Sequence, residues 1–230
     1  MLPLVLLPGM MCDARLFFPQ ISALSGSRAI MTAPMTGSDS MAELARQVLG
    51  NAPPRFALAG LSMGGILAME VLRQAPRRVE KLALLDTNPR AELDEVKARR
   101  DPQMAAVKAG RLREVMRDEM KPNYLVDSPG KPAILDLCMD MALTLGPQVF
   151  LTQSIALRDR PDQQDTLRSY QGKALVLCGR HDALCPVERH ELMHDLLHNS
   201  HLEIIENAGH LPTLEQPEIT TAALIRWLED

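Results

Sequence analysis

The 230-residue chain has no block of like charges, no internal repeat, no low-complexity tract and no paired cysteines. Each absence removes a class of function. Its 25 basic and 29 acidic residues are intermixed, for a formal net charge of -4. Without a basic stripe there is nothing to follow a phosphate backbone, and without a polybasic patch nothing to hold an anionic bilayer. Neither nucleic acid nor a membrane surface is therefore an expected partner. The four cysteines, Cys12, Cys138, Cys178 and Cys185, are scattered, with no Cys-x-x-Cys pair and no zinc-ligand spacing. That pattern suits reduced thiols in a cytoplasmic protein and predicts no metal site. Long apolar runs are missing too. The opening "MLPLVLLPGMM" lacks the basic start of a signal peptide, and Pro8-Gly9 interrupts it well short of the roughly 20 residues a membrane span needs.

Short apolar runs are abundant. They recur at residues 2–7, 28–32, 56–60, 81–86, 173–179 and 201–206, each bounded by turn residues and without strict alternation. Strands buried on both faces read this way, as in a parallel sheet covered by helices. Between most of them lie helical patterns: "SMAELARQVLG" puts Met41, Leu44, Ala45, Val48 and Leu49 on one face, with Gly50 as its expected stop. Strand and helix alternate, which predicts an α/β fold with a mostly parallel sheet of about six strands. The alternation fails from 89 to 168, where proline and glycine separate several helical patterns and no strand is evident. About 80 residues is too long for an ordinary connection and too periodic for a disordered loop. The expected organisation is a core of residues 1–88 and 169–230, with 89–168 inserted after the fourth strand as a helical cap.

Where the third apolar run gives way to a helix stands Gly60-Leu61-Ser62-Met63-Gly64, a G-x-S-x-G pattern. A sharp strand-to-helix turn would expose the Ser62 hydroxyl, and glycines at 60 and 64 would let the backbones cross. Serine also caps helices, so the motif alone leaves both roles open. A nucleophilic serine needs an imidazole base, and the imidazole needs a carboxylate to orient it. "VLCGRHDAL" places Asp182 after the fifth strand and "IIENAGHLPTLEQP" places His210 after the sixth. The order Ser62, Asp182, His210 fits that geometry, at the carboxyl ends of parallel strands.

With "GLSMGG", "GRHD" and "NAGHLPTLEQP" in these positions, the chain resembles the α/β-hydrolase fold family, and within it the small carboxylesterase-like members. The resemblance covers residues 2–88 and 170–230 and implies Ser62 as nucleophile, His210 as base then acid, and Asp182 as its orienting carboxylate. It also implies an oxyanion hole from the backbone N–H groups of Met10 and Met63. One departure stands out: where most relatives have His-Gly in the loop after the first apolar run, this chain has Pro8-Gly9.

Other residues compete for roles. Asp86, after the fourth strand, is an alternative source of the triad carboxylate, and Asp13 and Arg15 read as a surface pair. His190, His194 and His198 are four apart on one helix, but the apolar stripe through Leu192, Met193, Leu196 and Leu197 predicts that they face solvent. The methionines at 10, 11, 63, 104, 116, 120, 139 and 141 read first as core fillers; any that line the cleft would make it apolar and adaptable. The expected activity is hydrolysis of a carboxylic ester with a small or medium acyl group, with no cofactor. The alternatives are the same triad acting on a thioester, an amide or a carbon–carbon bond, or a ligand-binding member of the fold. Nothing in the sequence sets an oligomeric state.

Overall fold

The computed structural model describes residues 1–230. Six strands form a single sheet: β1 (Leu4–Leu7), β2 (Ile30–Thr32), β3 (Phe56–Leu61), β4 (Val79–Leu85), β5 (Lys173–Gly179) and β6 (Ser200–Ile205). Every neighbouring pair is parallel, in the order β2-β1-β3-β4-β5-β6. β1 and β3 are buried along their whole length, which is why their sequences run apolar without alternation. The sheet divides the interior into two apolar layers. Val5, Leu7, Leu58, Leu82, Leu84 and Val176 face one layer; Leu4, Leu6, Ala57, Ala59, Leu85 and Leu177 face the other.

The helices are α1 (Phe18–Leu24), α2 (Met41–Asn51), α3 (Met63–Gln74), α4 (Asp94–Lys108), α5 (Leu112–Val115), α6 (Lys131–Arg158), α7 (Gln164–Ser169), α8 (Val187–Leu196), α9 (Pro212–Glu215) and α10 (Pro217–Glu229). α2 buries Met41, Leu44, Ala45 and Val48, the face expected from its periodicity. It does not stop at Gly50 but continues to Asn51 and ends at Ala52, just before Pro53-Pro54. Four helices, α4 to α7, lie between β4 and β5. α6 is broken at Gly146, whose φ of 82° suits glycine, with Pro147 following. By length and composition α6 could cross a membrane. Here its Gln153 is buried against the loop after β1 and its Met141 lies in the core.

What positions the site is the crossing of β3, α3 and β1. A Cβ on Gly60 would collide with the backbone of Gly64, and a Cβ on Gly64 with the Leu7 and Pro8 carbonyls. Glycine is therefore a packing requirement at both positions. Gly64→Ala should cost more than about 3 kcal/mol, because backbone rather than a movable side chain must give way. Gly50→Ala is the control: a Cβ there meets nothing within 4 Å, and losing an unrestrained glycine from a helix should gain about 0.5–1 kcal/mol. Denaturant midpoints of the two variants measure the contrast.

Candidate active site

Ser62 follows β3 directly and precedes the first residue of α3, at φ 56° and ψ -117°. A non-glycine residue in that region is strained, and here four hydrogen bonds hold it. Its N–H donates to the Leu85 carbonyl at 2.9 Å, and its carbonyl accepts from the N–H groups of Gly65 and Ile66 at 3.0 and 3.1 Å. The Thr87 hydroxyl donates to the same carbonyl at 2.7 Å. Its side chain makes no helix-capping bond, so the capping role that the motif allowed is not the one it plays. The hydroxyl points instead at His210, 2.9 Å from Nε2.

The other ring nitrogen of His210, Nδ1, lies 2.8 Å from Asp182 Oδ2. Asp182 Oδ1 accepts from the N–H groups of Leu184 and Cys185 at 2.8 and 3.0 Å. Burial alone would raise the Asp182 pKa. The His210 interaction and the two backbone donors outweigh it and hold the carboxyl below its ordinary value. An ionised Asp182 can only accept, so His210 carries its proton on Nδ1 and presents the Nε2 lone pair to Ser62.

The imidazole is held from two sides. Its backbone N–H donates to the Tyr124 carbonyl at 2.6 Å, and its ring lies 6.0 Å from the Tyr124 ring. Glu215 accepts from the N–H groups of Gly209 and Leu211 at 3.0 Å and from that of Val126 at 2.9 Å. One carboxylate thereby ties the His210 loop to the segment between β4 and β5. In the loop after β1, Met11 adopts φ 56°, and its N–H donates to Gln153 Oε1 at 2.8 Å while Gln153 Nε2 donates to the Met35 carbonyl at 3.0 Å. Gln153 thus fixes the loop that carries Met10. Gly9 approaches closely, since a Cβ there would sit 3.6 Å from Ser62 Cβ. Met10 and Met63 flank Ser62 in the wall of a cavity of about 400 Å³. The Met10 N–H makes no hydrogen bond to protein, and Met63, first in its helix, has no intrahelical acceptor for its own.

Asp86 does not bond His210. It lies fully buried at φ 45°, accepting from the Gly179 N–H at 2.9 Å through Oδ1, while Oδ2 has no donor. Burial first, then the Asp182 charge, pushes its pKa well above the ordinary carboxylate value. Asp13 and Arg15 form a partly exposed ion pair at 2.6 Å. Of the methionines, Met10, Met63 and Met120 line the cavity, whereas Met11, Met104, Met116, Met139 and Met141 are core.

Of the three histidines expected on one helix, His198 lies past the end of α8 and is exposed, and His190 corrects the expectation. His190 does not face solvent: it is fully buried, Nε2 accepting from the Thr87 N–H at 3.1 Å and Nδ1 3.3 Å from the Pro186 carbonyl. The helix packs on the loop after β4, so that face is internal although the side chain is polar. His194 bonds the Ser200 hydroxyl at 2.7 Å. The residues that the sequence did not mark are Gln153, Glu215 and Tyr124; of these only Glu215 lies within a quoted motif, "NAGHLPTLEQP".

Among families of known proteins, the one described as the alpha/beta hydrolase family matches residues 4–223. The chain is 25% identical over 242 residues to the pimeloyl-[acyl-carrier protein] methyl ester esterase of Aliivibrio salmonicida, a match covering 98% of this chain and 92% of that protein. It is 25% identical over 200 residues to a biotin biosynthesis bifunctional protein of Teredinibacter turnerae, covering 78% of this chain but only 33% of that protein. The chain thus spans about a third of that two-function relative. A solved thermophilic esterase from Thermogutta terrifontis, with malate bound, superposes with a TM-score of 0.90 at 28% identity, over all of this chain and 90% of that one.

Burial pulls the His190 pKa down to about 4 from 6.5. The unfolded chain therefore takes up a proton at this site before the folded one does. Stability should fall by about 3 kcal/mol as pH drops from about 6.5 to about 4. Denaturation midpoints across that window test this; in His190→Gln the slope should be shallower by about one proton.

Proposed function

The chain belongs to the alpha/beta hydrolase family, and from that premise we propose that it is a serine esterase working through an acyl-enzyme. The observation that carries the reading is the unbroken line Ser62 Oγ, His210 Nε2, His210 Nδ1, Asp182 Oδ2, with links of 2.9 and 2.8 Å. The esterase names of its relatives agree with it.

In this reading Ser62 Oγ attacks the ester carbonyl carbon and its proton passes to His210 Nε2. The imidazolium so formed is stabilised by Asp182, which stays ionised. The carbonyl oxygen, now an oxyanion, is held by the N–H groups of Met10 and Met63, at the positive end of α3. The tetrahedral intermediate collapses, the carbon–oxygen bond to the alcohol breaks, and His210 returns the proton to the leaving alkoxide. Water then gives a proton to His210 and attacks the acyl carbon, and the acid leaves as Ser62 recovers its proton. The helices between β4 and β5 serve as a cap over the acyl group, and the cavity, about 400 Å³ with Leu61, Ile66 and Leu157 among its walls, suits a small or medium one.

Turnover of p-nitrophenyl acetate tests the roles separately. Ser62→Ala should lower kcat by about 10⁴-fold or more, and Asp182→Asn, which leaves His210 without its orienting anion, by about 10⁴-fold. Asp86→Asn should keep kcat within about threefold of the parent, because Asp86 makes no bond to His210 and an amide oxygen can still accept from the Gly179 N–H.

A further inference from the structure

The walls of the cavity above Ser62 carry more positive than negative charge, in a protein whose net charge is negative. Arg99, Arg100, Arg160 and Arg189 line it against Glu92 and Glu119. Arg160 is the unusual member, with only 9% of its surface exposed. Its Nε donates to the Arg90 carbonyl at 3.0 Å, and its Nη1 donates to Glu92 and to the Leu157 carbonyl. Nη2 has no protein partner and is not sealed from open space. Arg100 spends Nε and Nη2 on the same Glu92, leaving its Nη1 unpaired. Two guanidiniums therefore share one carboxylate whose two oxygens are both taken, and a charge of about +1 is left at the cavity wall. Burial pulls the Arg160 pKa below its ordinary value; Glu92 opposes that and Arg100 adds to it.

Buried charge without a counter-ion is costly, and it persists where an anion completes the site. This charge lies close to the proposed chemistry. Arg160 and Arg189 line the same cavity as Cys185. The Cys185 sulfur in turn lies within 4.8 Å of the nearest Asp182 oxygen and His210 nitrogen. The same cavity is also lined by apolar groups such as Ile66, Leu157 and Leu184. The geometry points to an anion subsite formed by the open edges of Arg160 and Arg100, with Arg189 lining the same cavity, that selects short esters carrying a free carboxylate. The inference rests on the esterase reading for its place in catalysis, but the subsite binds whether or not the ester turns over.

The test separates the two. Ligand-detected NMR titrations of the Ser62→Ala protein compare monomethyl glutarate with dimethyl glutarate, and 4-acetoxybutanoate with its methyl ester. The first pair carries the carboxylate on the acyl side and the second on the alcohol side. A preference of about tenfold or more for the charged member of either pair, falling below about threefold in an added Arg160→Gln substitution and partly restored by Arg160→Lys, is the expected result; which pair shows it tells which side of the ester faces the subsite. Equal binding within both pairs in the Ser62→Ala protein itself overturns the subsite, however the arginine variants fold. Should the unmutated chain hydrolyse none of the four esters yet keep the binding preference, the esterase reading fails and the anion subsite stands.

Discussion

The close crossing of three backbones at Ser62 is the constraint on which the rest of the structure depends. Gly60 and Gly64 have no room for a Cβ against each other and against β1. The helix therefore leaves the strand at an angle that an ordinary residue between them meets only at φ 56°. The strain is offset locally by hydrogen bonds from Thr87, Gly65 and Ile66 to the Ser62 carbonyl. What it gives in return is a hydroxyl lifted off the sheet edge, aimed at an imidazole and adjacent to the start of a helix.

Around that turn, carboxyl groups are sorted by what donates to them. Asp182 receives two backbone N–H groups and the His210 ring, and its pKa falls below the ordinary value despite burial. Asp86, nearby and equally enclosed, receives one N–H and is driven the other way. The fixed charge thus sits behind His210, where a positive imidazole would form, and not beside it. Glu215, with three backbone donors, is a fastener joining the loop of His210 to the segment that precedes α6. Gln153 of α6 likewise fastens the loop of Met10. Both loops beside Ser62 are therefore tied to the region between β4 and β5, so that a change in its packing would move both sets of groups together.

Much of the fold could be read directly from the sequence, because strands covered on both faces leave continuous apolar runs and all six lie within two residues of where those runs do. Ser62, Asp182 and His210 were legible for a related reason: each sits in a turn that follows a strand, with the glycines of "AGLSMGG", "CGRHD" and "NAGH" written beside it. Other features depend on partners far away in the chain. Gln153 reaches Met11 across 142 positions and Glu215 reaches Val126 across 89, so neither pairing leaves a local pattern. Glu92 and Arg160, 68 residues apart, are alike in this. His190 misled because periodicity assigns a polar side chain to solvent, whereas its helix is enclosed on that side by the loop after β4 and its ring replaces a backbone acceptor for Thr87.

The proposed chemistry makes one hydroxyl in this chain a nucleophile activated by the imidazole beside it. Fluorophosphonate labelling of the folded protein, with the site mapped by mass spectrometry, tests it most directly. One label per chain is expected, on Ser62, formed far more slowly when His210 is replaced by alanine. A folded protein that takes no label, or takes it on another residue, would contradict it.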